Sequence, residues 1–207
     1  MKRHVIFLGA ISALLTSGTA YGASSTDPEW PCIQRKVPEL SIAQVWRGSD
    51  LPPSATKWNS DPKLSELVTE LAARRNSIEN ARKQLEEYAT SLPEDQLNEK
   101  LTQIFQGLFD KLNQERHQVI SGIARYAGKQ RELAADLRKE ASEVDKLRHA
   151  AGGDQSELAK RSERLTWETR IFEERVQSLT FVCEVPTIIE QRLYSLSKII
   201  SEMMMKS

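Results

Sequence analysis

The chain has 207 residues, of which 28% are charged and 39% are hydrophobic. Its 29 lysine and arginine residues are matched by 29 aspartate and glutamate residues, so the formal net charge is zero. Proteins that bind nucleic acid or anionic membranes carry a basic excess on one face, and this balance argues against both classes.

Residues 1–22 have the pattern of a secretory signal peptide. A basic start at residues 2–4 precedes an apolar core at residues 5–15, and small residues stand at Ala20 and Gly22, as signal peptidase requires. We expect cleavage after Gly22 and export to the bacterial periplasm; a signal retained as an anchor is the alternative. Cleavage would remove one lysine and one arginine, leaving 27 basic residues against 29 acidic ones. No second apolar segment approaches twenty residues, so we expect no stable membrane insertion afterwards.

Residues 23–60 are predicted to form an extended segment, here called the strap. It holds five of the eight prolines and three of the four tryptophans. Proline at this density excludes a long helix, and tryptophan at this density is too apolar for a free tail. We therefore expect the strap to lie across helices, held by its indoles, with one short helix at residues 39–46. A flexible leader is the alternative. The residues concerned are Pro28, Pro31, Pro38, Pro52, Pro53, Trp30, Trp46 and Trp58.

Asp61 and Pro62 are predicted to begin the helical domain, residues 61–207, as a helix cap and a first-turn proline. Leucine or isoleucine then recurs every seventh residue as far as Leu92, which predicts one continuous helix. Arg74 interrupts the second apolar row. The repeating residues are Leu64, Leu71, Ile78, Leu85 and Leu92.

Residues 93–151 are predicted to form one long helix. Ser91 and Glu94 have the spacing of a capping pair, and the adjacent glycines Gly152 and Gly153 mark the end. A helix of this length measures about 85 Å, so it must project beyond a compact domain. Its apolar stripe is broad over residues 97–120, which indicates several neighbouring helices. It then narrows to a heptad seam that needs a single partner.

Asp154 is predicted to cap a third helix, which carries the same narrow heptad seam as far as Cys183. Beyond Cys183 the apolar pattern widens again. Pro186 falls at this change, where it either kinks one helix or begins a fourth. The seam residues of the third helix are Leu158, Ser162, Leu165, Thr169, Phe172, Val176, Leu179 and Cys183.

These lengths predict an all-α fold, in which a long antiparallel helical hairpin forms a coiled-coil arm on a three-helix base. Folding back at Gly152 pairs the third helix with residues 119–151, and this register places Cys183 near residue 121. The strap arrives at the same level. Because an exported protein with two cysteines is expected to oxidise them, we predict a disulfide between Cys32 and Cys183.

The sequence carries no recognisable catalytic, cofactor or metal site. The two histidines beyond residue 22 are His117 and His149, about 45 Å apart on one helix, so a single subunit cannot use both on one metal ion. Neither a CxxC redox motif nor a glycine-rich phosphate loop is present. We therefore expect no enzymatic activity and no cofactor.

Trp167 and Ile171 are the candidate protein-binding residues. The heptad register places both on the outer face of the arm, among charged side chains, which resembles an aromatic anchor with a charged rim. The alternative is that the strap or a second subunit covers them. Oligomeric state is left open, because polar residues in the apolar rows can find partners within one chain or across a dimer.

The leading hypothesis is a non-enzymatic periplasmic adaptor or accessory protein that binds another envelope protein through its arm. The first alternative is a periplasmic holdase chaperone, which would grip unfolded clients. The second is a helical periplasmic sensor of a metal or a small ligand, and a haem or redox bundle ranks last.

Overall fold

A computed structural model describes residue 27 and residues 29–205, and the expected signal peptide lies outside this part of the chain. The described residues form an all-α structure without a strand, as predicted. The elements in chain order are α1 (Ile42–Val45), a 3-10 helix (Pro53–Ser60), α2 (Pro62–Ala72), α3 (Ile78–Thr90), α4 (Glu94–His149) and α5 (Gln155–Met204).

Two long helices, α4 and α5, form an antiparallel hairpin that runs the length of the molecule. The 56 residues of α4 correspond to about 84 Å of helix, close to the predicted length. The hairpin turn uses a left-handed residue, Gly152, whose φ is +78°. Asp154 then caps α5, because its carboxylate accepts the backbone N–H groups of Ser156 and Glu157. The predicted long hairpin is confirmed.

Pro186 lies inside α5, which continues as one helix of 50 residues. Proline has no backbone N–H, so the carbonyl of Val182 cannot receive its usual helical hydrogen bond. The helix continues because packing on the base holds both sides of this point: Pro186 itself, Cys183 and Ile189 are all buried. Of the two alternatives left by the sequence, a fourth helix is therefore wrong.

The prediction of one continuous helix over residues 61–92 is also wrong, because α2 ends at Ala72 and α3 begins at Ile78. Ala73 has an extended ψ of 125°, and the Ser77 side chain caps α3 by accepting the N–H of Asn80. In a continuous helix Arg74 would face the core. The break turns it outward, and its guanidinium lies 3.3 Å from Glu115.

Arg192 holds this break against α5. Its guanidinium is buried and donates to the carbonyl oxygen of Leu71 at 3.0 Å and to that of Asn76 at 2.7 Å. The first of these carbonyls belongs to the last turn of α2, where no intrahelical N–H is available. The arginine therefore replaces the hydrogen bonds that a continuous helix would have made.

The start of α4 differs from the predicted capping pair. Pro93 occupies the cap position without a side-chain hydrogen bond, and Ser91 donates its hydroxyl to the Tyr88 carbonyl at the end of α3. Two acidic residues in the first turn, Glu94 and Asp95, instead stabilise this end of the helix, because their negative charge interacts favourably with the positive end of the helix dipole.

The base of the molecule has one apolar core, to which α2, α3 and the adjoining halves of α4 and α5 contribute. The predicted three-helix base is present, with α2 and α3 in place of one helix. Its fully buried members include Leu64, Val68, Leu71, Leu85, Leu101, Phe105, Leu108, Leu112, Ile189, Leu193 and Ile200.

The strap lies across this base and is held by its indoles, as predicted. Trp46 stacks on Phe105 with ring centroids 4.1 Å apart, and Trp58 donates its indole N–H to Asp110 at 2.8 Å. Trp58 also passes over Gly107, where an added Cβ would lie 2.8 Å from the indole, so that position must remain small. The short helix covers only Ile42–Val45, less than the 39–46 expected, and the 3-10 helix Pro53–Ser60 is a second helix in the strap that was not predicted.

Arg116 ties the strap to both long helices. It lies on α4, is 2% exposed, pairs with Glu190 of α5 and donates to the Pro38 carbonyl of the strap. A buried charge needs such partners, because an unpaired guanidinium in a core is strongly unfavourable.

Candidate protein-binding face of the arm

The arm consists of α4 from Ile120 to its end and α5 as far as Cys183. One apolar row of its α4 seam is buried, whereas the other row (Tyr126, Leu133, Leu147) and the facing leucines and phenylalanine of α5 are half-buried. The predicted seam residue Val176 is instead 44% exposed, so its place in the seam was wrongly predicted. The buried α4 residues are Ile120, Ile123, Ala127, Gln130, Leu137 and Val144, and the facing α5 residues are Leu158, Leu165, Phe172 and Leu179.

An ion pair fixes the register of the arm. Glu140 occupies an apolar row of α4, where Arg161 donates two hydrogen bonds to its carboxylate at 2.8 and 2.7 Å, and Arg164 donates a third at 2.9 Å. These hydrogen bonds lower the pKa of Glu140 from about 4.5 to about 2, and those from Arg161 make the largest contribution. The carboxylate therefore stays ionised and paired at neutral pH.

The root of the arm contains the predicted disulfide. Cys32 and Cys183 are bonded, with their Cα atoms 5.5 Å apart. Both pack in a small buried cluster with Trp30, Ile120 and Ile123. The predicted level, near residue 121 of the long helix, is therefore confirmed, and the strap is joined to α5 where the arm leaves the base.

Trp167 lies on the outer face of α5 with 62% of its surface exposed. It borders a shallow depression of about 600 Å³, whose other lining residues are Lys160, Glu163, Arg164, Thr166 and Arg170. No segment of the strap among the described residues covers it. Within one chain this indole is thus available to another molecule.

The charged residues around Trp167 are mostly paired with one another. Arg164 contacts Glu140 at 2.9 Å and Glu168 at 4.0 Å, and Arg170 contacts Glu174 at 3.2 Å. Such exposed pairs contribute little to stability. They do surround the indole with a rim that has no large excess of either charge.

Ile171 is half-buried, more so than the register predicted, and it does not line the depression beside Trp167. The structure therefore separates the two candidate residues: Trp167 is open, and Ile171 offers only part of its side chain.

Two further exposed residues share a heptad row with Trp167 and were missed by the sequence analysis. Phe181 follows Trp167 by fourteen residues and is 74% exposed, and Ile188 follows by another seven and is 45% exposed. The seven-residue spacing was the available signal. Together the three apolar side chains mark one outer face of α5, which we call the outer row (Trp167, Phe181, Ile188).

The described residues contain no group of three or more His, Cys, Asp or Glu side chains placed to hold a metal ion. His117 and His149 both lie on α4, near its middle and at its end, and His149 contacts the Asp145 carbonyl at 2.9 Å.

Within residues 29–205, no helix combines the length and hydropathy that crossing a membrane would require.

Comparison with known proteins gave no match: no family model, no curated protein and no solved structure is significantly similar to this chain.

Proposed function

We propose that this protein is a non-enzymatic adaptor or accessory protein of the bacterial cell envelope, and that it binds another envelope protein through the outer face of its arm. The observation that carries the proposal is the exposed indole of Trp167 on a projecting coiled coil. A tryptophan that the fold leaves uncovered contributes little to folding, whereas tryptophan is among the residues that contribute most at protein interfaces.

The disulfide supports the envelope location. Disulfides persist in oxidising compartments and are rare in the reducing cytosol. The bond between Cys32 and Cys183, together with the signal-peptide pattern of residues 1–22, favours a periplasmic protein.

The surroundings of Trp167 indicate what a partner would present. The arginines of the rim already have acidic neighbours, whereas Lys160 makes no ion pair within residues 29–205. We expect the partner to cover the indole with an apolar surface and to place a carboxylate near Lys160. A helix is a suitable form, because the outer row repeats at heptad spacing.

A binding assay tests this proposal. Tagged wild type, Trp167→Ala and Trp167→Ala/Ile171→Ala would be used to recover partners from an envelope extract, with Ile33→Ala as the matched control. Ile33 is fully exposed but lies on the strap at the root of the arm. We expect Trp167→Ala to weaken binding of the partner by roughly 30-fold or more, as loss of an interface anchor does. Undiminished binding of every partner would contradict the proposal.

A holdase chaperone is the second candidate, and the outer row favours it, because three exposed apolar side chains on one face can contact unfolded clients. The same variants distinguish the two functions. A chaperone would suppress aggregation of an unfolded outer-membrane protein and lose this activity gradually as Trp167, Phe181 and Ile188 are replaced. An adaptor would show no such suppression.

A further inference from the structure

A second face of the arm, on α4, carries an ordered set of unpaired charges. Gly122, Arg125, Lys129, Glu132 and Asp136 are spaced alternately by three and four residues, which puts them on one side of the helix. The four charged side chains are exposed, and none makes an ion pair within the described residues. The two basic residues are nearer the base and the two acidic ones nearer the tip.

This order contains two repulsions within one chain. Arg125 and Lys129 are four residues apart, as are Glu132 and Asp136, and like charges at that spacing on a helix repel, whereas only Lys129 and Glu132 have an attractive spacing. A surface that carried opposite charges in the reverse order would relieve both repulsions.

The same stretch of α4 contains two glycines, Gly122 and Gly128, at positions where the packing within one chain leaves room for a larger residue. An added Cβ at Gly122 would meet only Arg125 Nη2, and one at Gly128 only Arg131 Nη2, each at 3.9 Å. Glycine in a helix interior is destabilising relative to alanine. Its advantage is that another backbone can approach closely.

An apolar groove of about 410 Å³ lies between α4 and α5, beside Gly122. Tyr126 of α4 is one of its lining residues. Leu133 follows Tyr126 by seven residues, and both are half-buried. Side chains of the described chain leave the groove open. Its lining residues are Val119, Gly122, Ile123, Tyr126, Ser178, Leu179 and Val182.

We propose that this face pairs with the same face of a second copy, with the two α4 helices antiparallel and a two-fold axis between residues 130 and 131. In this register Arg125 of one copy meets Asp136 of the other, and Lys129 meets Glu132. Every one of the four charges then has a partner, in both copies. Tyr126 comes within about 3 Å, along the helix axis, of the level of Leu133 in the second copy, next to the groove.

The observations favour a second copy because the face is complementary to itself. When two copies of this stretch lie antiparallel, the basic end of each lies opposite the acidic end of the other. A two-fold interface requires such a self-complementary surface. The chain after the expected cleavage has a net charge of only −2 (27 basic against 29 acidic residues), so long-range repulsion between two copies is small. The outer row on α5 takes no part in this contact, and the proposal does not depend on the proposed function.

A charge-swap experiment tests the register. Arg125→Glu/Lys129→Glu gives a face with four acidic side chains, and Glu132→Lys/Asp136→Lys gives one with four basic side chains. We expect wild type to sediment as a dimer at roughly 1–100 μM. Each double variant should be monomeric over this range, with a dimer dissociation constant raised by more than about 100-fold, since like charges then face each other. An equimolar mixture of the two variants should recover the dimer.

The matched control for the acidic variant is Lys57→Glu/Lys63→Glu, which also changes the net charge by −4, at one exposed lysine of the strap and one of α2. This control should dimerise like wild type, and circular dichroism should show unchanged helicity in every variant. Three results would overturn the proposal: a monomeric wild type, double variants that dimerise normally, or a mixture that stays monomeric. Trp167→Ala should leave the dimer intact, which separates this test from that of the proposed function.

Discussion

Cys32 of the strap is bonded to Cys183 of α5 at the level where the arm leaves the base. The two cysteines are 151 residues apart in the sequence, so the bond closes most of the described chain into one loop. Both are buried beside Trp30, which protects the bond from solvent. The disulfide therefore joins the strap to the long hairpin instead of strengthening either part separately.

Removal of this bond should destabilise the whole fold. For a loop of this length, the chain-entropy estimate gives an upper value of about 5 kcal/mol in the free energy of unfolding. We expect the Cys32→Ser/Cys183→Ser variant to unfold at a clearly lower denaturant concentration than wild type. The reducing agent dithiothreitol should lower the midpoint of wild type and leave that of the variant unchanged. Equal midpoints for oxidised wild type and variant would show that the bond contributes nothing.

Arg192 should be the most sensitive single residue at the break between α2 and α3. Replacing it with leucine leaves the carbonyls of Leu71 and Asn76 buried without donors, and we expect a loss of about 3 kcal/mol in unfolding free energy. Arg75, on the same break, is 80% exposed, and its one ion pair among the described residues is with Glu70. Arg75→Leu is the matched control, and its effect should stay within about 0.5 kcal/mol. Chemical denaturation of both variants measures the difference, and similar losses would refute the role of Arg192.

Gln130 is a position where the arm can be stabilised. It is 8% exposed in the seam, and its side-chain oxygen Oε1 has no hydrogen-bond partner among the residues that the structure describes. A buried acceptor without a donor is unfavourable, so Gln130→Leu should raise the free energy of unfolding by about 1 kcal/mol. Gln177→Leu, at an exposed position of the same arm, should have no such effect. Thermal unfolding followed by circular dichroism would detect the change, and a lower melting temperature for Gln130→Leu would contradict the prediction.

The pairing of Glu140 with Arg161 should make arm stability depend on pH in the acid range. The folded-state pKa of Glu140 is lowered to about 2, so the stability that its ionised form contributes is fully present above the unfolded-state pKa near 4.5. This stability is lost as the pH falls from about 4.5 towards 2. We expect Glu140→Gln to melt on the order of a few °C below wild type at pH 7, and the gap to close by about pH 2. A gap that does not change with pH would contradict the assignment.

Heptad spacing made the arm predictable. The rows of leucine, isoleucine and phenylalanine fixed which helices pair, and Gly152 fixed where the chain turns back. Those two facts together set the level of Cys183. The caps at Asp61 and Asp154 were also predictable, because their carboxylates accept the first free N–H groups of the helices that follow.

The break between α2 and α3 has only weak local signals: Arg74 in an apolar row and Ser77 as a possible cap, with no glycine or proline between Ala72 and Ile78. Its stability depends on Arg192, more than a hundred residues away, and tertiary hydrogen bonds of this kind leave no local pattern. The persistence of α5 through Pro186 has a similar origin, since core packing outweighs the missing backbone hydrogen bond. Phe181 and Ile188 share the heptad row of Trp167, so their position on the outer face was predictable from the seven-residue spacing.

In-cell photocrosslinking from position 167 tests the central claim most directly. A photoreactive phenylalanine analogue would replace Trp167, and the matched control would carry it at Arg138, an exposed residue of α4 on the same arm. We predict that position 167 captures one envelope protein and that position 138 does not. Mass spectrometry would identify the captured protein, and crosslinking from that protein back to the arm would confirm the contact. A smear of unfolded exported proteins, self-capture alone, or equal capture from both positions would contradict an adaptor that binds through the Trp167 face.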